Sequence, residues 1–312
     1  MSKVLLLGAS GYIGEAFSTE LGFRSYETIP LSRDQVNYCN FNTLQNYIRD
    51  ELGGIDFLIN AAGYIGRMSI DQCEVDKSAT LRGNLLLPQM LSHLALTEDF
   101  PWLQVGTGCL YQGDNGGKGY TEEDPPNFCF SSPPCNFYCG VKELAEQVLR
   151  KDPRCYIARL RIPFDQFDGP RNYLSKLLKS DKVYVNRNTI SHRGDFVRAC
   201  LDLFERDAPK GIYNVTNPGP MNTRDVVALM REILQLDRQF KFWESDEEYY
   251  KFTQSPRSNC VLDISKLERS GIHLRPLKEA VRDSLRNWKI LPPEASQGEV
   301  PIPNKETKGM LN

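Results

Sequence analysis

The chain has 312 residues, 40% of them apolar and 25% charged, with a net charge of -2. This ordinary composition excludes a fibrous or wholly disordered protein and allows one large core or two fused smaller ones. The slight acidity offers no general attraction to phosphate backbones, so nucleic acid is not an expected partner.

No apolar run approaches the roughly 20 residues of a membrane span, and the N-terminal run is too short for an export signal. Nine cysteines are scattered without CxxC pairs. That pattern predicts reduced thiols in the cytoplasm, with no disulfide framework and no metal site.

In chain order, residues 3–8 read as a buried parallel strand. Gly8-Ala9-Ser10-Gly11-Tyr12-Ile13-Gly14 then turns into a helix with apolar positions three and four apart. Apolar runs at 28–31, 57–60, 102–106 and 155–162 alternate with helical patterns near 42–51, 79–97 and 134–150. This alternation predicts an α/β fold, a Rossmann-like doubly wound parallel sheet. After Pro163 the pattern loosens, and a helix is predicted near 222–234. The expected division is a dinucleotide-binding domain over 1–165, with part of 187–215 packing back on it. A smaller C-terminal substrate-binding lobe follows over 166–291. From 292 to 312 the Pro, Glu, Lys and Gly content predicts a disordered tail.

The spacing of Gly8, Gly11 and Gly14 fits a phosphate-binding turn: one glycine for the turn, one for close approach of a pyrophosphate, one for helix–strand packing. Ser10, Tyr12 and Ile13 belong to the same loop and helix start, where free N–H groups would meet the phosphates. An NAD site would end its second strand with an acidic residue; this chain offers Leu31-Ser32-Arg33. Ser32 and Arg33 therefore suggest a 2'-phosphate and NADP(H), while Asp34 immediately after keeps NAD(H) as the alternative. Asn60-Ala61-Ala62-Gly63 closes the third strand with small residues that would let a cofactor approach.

Tyr138 and Lys142 stand at i and i+4 in a helical pattern and share a face. A lysine there would lower the phenol pKa and hold the nicotinamide ribose. Thr107 lies at the C-terminal end of the fourth strand, where doubly wound sheets bind ligands, so its hydroxyl could polarise a carbonyl. Asn84, in the preceding helix, could order water behind Lys142 or sit on the helix surface.

These segments, with Pro256-Arg257-Ser258-Asn259, occur in the order found in extended short-chain dehydrogenase/reductases, and over about residues 1–290 the chain resembles that group. Within it the chain is similar to the dTDP-4-dehydrorhamnose reductase family. It is closer still to the bifunctional 3,5-epimerase/4-reductases of UDP-rhamnose synthesis. The distinctive segments are Asp71-Gln72-Cys73-Glu74, Thr107-Gly108-Cys109, Glu122-Glu123-Asp124, Pro126-Asn127-Phe128 and Pro170-Arg171-Asn172-Tyr173 with Lys176.

The resemblance implies NADPH-dependent reduction of a nucleotide-linked 4-keto-6-deoxy sugar. Thr107, Tyr138 and Lys142 would be catalytic, and Arg257, Arg171 and Asn172 would hold the substrate. Cys109, two residues beyond Thr107 and facing the same way, matches the epimerising cysteine of the bifunctional enzymes. Lys176 matches its partner, with His192 a lesser candidate for that role. Read without the resemblance, Cys109 is a small buried hydrophobe and Lys176 a surface charge. Two rivals follow: a reductase without epimerase activity, and a non-catalytic NADP-binding regulatory subunit like the methionine adenosyltransferase β subunit. A homodimer is left open.

Overall fold

Strands Lys3–Leu7, Phe57–Asn60, Trp102–Thr107 and Cys155–Leu160 are buried at successive positions rather than alternate ones, as strands covered on both faces are. In the computed structural model, which describes residues 2–66, 69–253 and 255–290, they join Glu27–Leu31 and Gly211–Asn214 in one six-stranded parallel sheet. Numbered along the chain, the strands stand in the order second, first, third, fourth, fifth, sixth. The order reverses between the first and third strands, so a crevice opens at the ends of Leu7 and Asn60, where doubly wound sheets bind ligands.

The pleat sorts side chains between two cores. Val4, Leu6, Phe57 and Ile59 face helices Tyr12–Phe23 and Arg193–Glu205, packing on Phe17, Leu21 and Phe196. Leu5, Leu7 and Leu58 face the other way, onto Leu44, Leu91 and Leu94. Each fully buried Leu or Phe contributes roughly 1.5–3 kcal/mol, so both layers are held tightly to the sheet. A third cluster gathers Phe164, Leu174, Val226, Met230, Leu277 and Leu285 from the C-terminal half. The helix expected near 222–234 is Thr223–Ile233, and the tail expected over 292–312 lies outside the described residues.

Four expected elements differ in detail: the helix expected near 42–51 is Phe41–Asn46 followed by a π turn at Tyr47–Glu51, and three others depart as follows. The helix expected over 79–97 is broken into Lys77–Leu81, a π turn at Arg82–Leu86 and Leu87–Glu98. Pro88 lacks the N–H that would continue the α ladder, and the Leu87 N–H reaches back five residues to Arg82. The fifth strand stops at Leu160, short of the expected 162, because Ile162 takes a left-handed φ of +37° just before Pro163. The helix expected from 134 begins at Phe137, after Pro133 and Pro134, where Asn136 caps it by accepting from the Cys139 N–H at 2.8 Å.

Candidate active site

At the crevice, the end of the first strand turns on Gly8, whose φ is +76°. A Cβ on Gly8 would lie 2.7 Å from the Ala62 nitrogen, and one on Gly14 only 2.0 Å from the Gly8 carbonyl oxygen. Both positions therefore require glycine. Gly11 is the N-cap of the 12-residue helix Tyr12–Phe23, and no side chain caps it. The exposed Ser10 lies on the same turn, leaving the helix N-terminus open to an anion. Tyr12 is clamped by Arg193, which sits 4.3 Å over its ring and donates to its carbonyl oxygen at 2.9 Å; Ile13 is half-buried beside it.

Asn60 is fully buried, and its amide is used between Gln104 (2.8 Å) and the Ala62 N–H (3.1 Å). Its side chain therefore shapes the Ala61-Ala62-Gly63 turn, so that any approach of a ligand to Asn60 is by the turn's backbone. Ser32 and Arg33 are exposed at the end of the second strand. Arg33 and Arg82 both draw the Cys39 thiol downward, against the burial that raises it. Arg82 thus places a second cation near the position sequence gave to Arg33 alone.

The fourth strand delivers Thr107, and helix Phe137–Leu149 delivers Tyr138 and Lys142. This helix is fixed at its start three ways: Glu74 accepts the Phe137 N–H at 2.6 Å, Asn136 caps it, and the Asn136 amide donates to the Pro256 carbonyl at 3.0 Å. Burial, then the Cys109 and Cys139 sulfurs, push the Tyr138 phenol well above its usual range; the Thr107 hydroxyl beside it pulls the other way. Lys142 is buried, and desolvation lowers its ammonium to about 8 while Glu146 and Cys109 oppose the shift. The expectation that Lys142 depresses the phenol is not met, because its ammonium is turned to the Val105 carbonyl oxygen at 3.0 Å. A phenol that keeps its proton suits donation to a developing alkoxide.

Cys109 is the one thiol at the site shifted downward. A hydrogen bond from Cys139, the Arg161 charge and a bond from Thr107 together hold it well below its ordinary value, against burial. Arg161 donates to its sulfur at 2.8 Å, and the Cys109 N–H donates to the Thr107 hydroxyl at 3.2 Å. Cys139 is pushed the opposite way, by burial first and then by Cys109. The half-buried Cys109 and the buried Cys139 are thus shifted in opposite directions, Cys109 toward its thiolate and Cys139 toward its thiol.

Lys176 lies on helix Tyr173–Lys179 and remains in contact with solvent. Burial of its ammonium lowers it, and Arg171 and Arg257 lower it further. Those two cations, rather than Cys109, are its electrostatic neighbours. Arg257 is itself anchored, donating to Asp71 at 2.6 Å and to the Ser255 hydroxyl at 2.6 Å. Arg171 donates to the Gly66 carbonyl oxygen at 2.7 Å. Beside Arg257 a cavity of about 540 Å³ opens between Gln112, Asn127, Phe128, Tyr250 and Pro256, within the range of ligand pockets.

Asn172 does not face this space. It is fully buried, caps its helix through the Leu174 N–H and donates to Asp165 and Phe167. Its polar atoms are spent, which corrects its assignment to the substrate. Asn84 is likewise a clamp, bonding both backbone groups of Tyr64 at 3.1 and 2.6 Å. His192 caps helix Arg193–Glu205 through the Asp195 N–H and packs edge-on against Phe164, a structural place. Residues that sequence reading missed are Asn136, Cys139 and Arg161; only the cap of Asn136 before a helical run carried a local signal.

Comparison with known proteins places this geometry in context. Residues 2–290 match the family model described as the RmlD substrate binding domain. A bifunctional dTDP-4-dehydrorhamnose 3,5-epimerase/dTDP-4-dehydrorhamnose reductase from Arabidopsis thaliana is 29% identical over 230 residues, 72% of this chain and 74% of that one. A trifunctional UDP-glucose 4,6-dehydratase/3,5-epimerase/reductase of the same plant is also 29% identical, over 72% of this chain but only 33% of its own length. Among solved structures, a UDP-rhamnose synthase from Acanthamoeba polyphaga mimivirus superposes with a TM-score of 0.83 at 22% identity, covering 92% of this chain and 99% of that one. A dTDP-4-dehydrorhamnose reductase from Bacillus anthracis, solved with NADP, gives 0.75 at 16% identity, covering 92% and 98%. Among the described residues no helix is long and apolar enough to cross a membrane.

Proposed function

The chain belongs to the RmlD substrate-binding-domain family, and on that premise we propose that it is an NADP(H)-dependent reductase of nucleotide-linked 4-keto-6-deoxy sugars that also epimerises C3 and C5. The observation that carries the reading is the grouping of Thr107, Cys109 and Tyr138 where a strand end meets a helix start, with the Arg161 guanidinium against the Cys109 sulfur at 2.8 Å and a phenol beside it that keeps its proton.

The residues at the crevice fit the cofactor: Gly8 and Gly14 leave room that any Cβ would fill, and the uncapped helix and Arg33 with Arg82 suit its phosphates. When bound, NADPH supplies the hydride for C4. Thr107 orients the C4 ketone oxygen, and Tyr138 donates its proton there. Lys142, fixed on the Val105 carbonyl oxygen, would hold the nicotinamide ribose. Before reduction, Cys109 and Lys176 would exchange the protons at C3 and C5, which the neighbouring ketone acidifies. The cavity beside Arg257 would take the nucleoside, with Arg257 and Arg171 toward the diphosphate.

The reductase-only reading leaves the Cys109–Arg161 contact without a purpose, and a regulatory subunit would need neither Tyr138 nor Lys142. Incubation of the pure protein with a nucleoside diphospho-4-keto-6-deoxyglucose in deuterated water, with and without NADPH, tests the proposal. Deuterium at C3 and C5 and NADPH consumption are expected. Absence of the label removes the epimerase half, and absence of NADPH consumption removes the reductase half. Parallel runs with UDP, dTDP and GDP forms identify the handle.

A further inference from the structure

Arg161 is 1% exposed at the end of the fifth strand, and among the described residues no carboxylate pairs with it. Its neighbours are the Asn188 amide oxygen at 2.5 Å, the Ser258 carbonyl at 2.7 Å and the Cys109 sulfur at 2.8 Å. A guanidinium cannot shed its proton to escape burial, so an uncompensated charge here would be severely destabilising. The first two partners are neutral. Of these three the sulfur alone can carry the balancing charge; the Cys260 and Cys139 thiols also face the guanidinium, but burial pushes both upward while Cys109 is drawn down.

The surroundings are built to hold this contact. Asn188 is itself buried, and its side-chain oxygen also accepts the Cys260 N–H at 2.8 Å. Ser258 belongs to the Pro256-Arg257-Ser258-Asn259 segment that carries the diphosphate-facing Arg257. The backbone just past Arg161 is strained at Ile162, a β-branched residue at φ +37°, and such strain persists where surrounding contacts over-determine it. Arg161 thus ties the fifth strand and the Asn188 and Ser258 segments to one sulfur.

We propose that Arg161 is the positioning residue for epimerisation: its buried guanidinium holds the Cys109 sulfur as the anion that removes the α-proton of the keto sugar. This rests on the epimerase reading above. In the step, the C–H bond beside the ketone breaks as an S–H bond forms, and the electron pair moves onto the ketone oxygen as an enolate. The Lys176 ammonium then returns a proton to carbon from the opposite face. Cys109 releases its proton to solvent and Lys176 regains one, so nothing is oxidised or reduced and solvent hydrogen enters the product.

The test combines two measurements on the full chain: the ultraviolet thiolate absorbance of Cys109, taken as wild type minus Cys109→Ser across pH, and deuterium entry into C3 and C5 across pH. For the wild type, Cys109 should be ionised at neutral pH and exchange should be fast there. In Arg161→Met, the thiolate titration and the exchange profile should move together to higher pH by at least about one unit, with exchange at neutral pH falling at least about tenfold. Arg161→Lys should restore most of both. If wild type exchanges no deuterium, the epimerase reading itself fails and takes this proposal with it. If wild type exchanges but the Arg161→Met profiles coincide with it, the proposal alone is overturned. Should Arg161→Met not fold, the wild-type titration still decides: a Cys109 that ionises only in the ordinary thiol range overturns the assignment.

Discussion

Lys142 donates its ammonium to the carbonyl oxygen of Val105 at 3.0 Å, binding the middle of helix Phe137–Leu149 to the fourth strand. The bond fixes where the lysine sits, and burial makes that placement expensive while the group is charged.

The folded value of about 8 lies below the ordinary 10.5. Below pH 8 the lysine is charged in both states and the full burial cost applies, on the order of 3 kcal/mol. Between about 8 and 10.5 the unfolded chain binds more protons, so stability rises with pH across that window. Thermal melts of the protein without cofactor should show wild type gaining on Lys142→Met from pH 8 upward. Parallel curves across that range would contradict the assignment.

The Tyr138 phenol is raised by burial and by two sulfurs, so its donor form persists through neutral and mildly alkaline pH. The single-turnover rate of NADPH oxidation should show no decline attributable to phenol ionisation below pH 10. Tyr138→Phe should lower that rate roughly 10²- to 10⁴-fold, with the melting temperature little changed. An undiminished rate in the phenylalanine variant would remove Tyr138 from the reaction.

Arg33 stands exposed at the end of the second strand with Arg82 nearby. Arg33→Ala should weaken NADPH binding by about one to two orders of magnitude, the worth of a charge-assisted bond to a phosphate, and leave NADH binding nearly unchanged. Fluorescence titration with both cofactors reads the difference. Equal losses for the two would mean that Arg33 does not meet the 2'-phosphate.

Arg257 is held by Asp71 and Ser255 at 2.6 Å each, pre-aimed at the cavity beside it. Arg257→Ala should raise KM for the nucleotide sugar at least about tenfold with a smaller change in kcat, as expected when ground-state binding is lost. Asp71→Asn should produce a milder form of the same effect by loosening the guanidinium. A kcat loss without a KM change would place Arg257 outside the diphosphate subsite.

The glycine turn, the apolar strands and the Tyr138–Lys142 helix were legible along the chain because each depends on short-range stereochemistry. Gly14 is required by a carbonyl only six positions away, and i, i+4 neighbours share a helix face whatever surrounds them. The β pleat likewise dictated that Leu5 and Leu6 enter different cores. Asn172 misled for the opposite reason: a motif gives residue type, while only the fold shows that its amide is consumed internally.

The charge state of the site was decided by tertiary structure alone. Arg161 reaches Cys109 across 52 positions and Asn136 reaches Pro256 across 120. Cys139 points at Cys109 only because a capped helix packs against a strand end. Spacing can place Cys109 beside Thr107, but whether its sulfur is inert or anionic depends on burial and on which distant cation the fold lays against it.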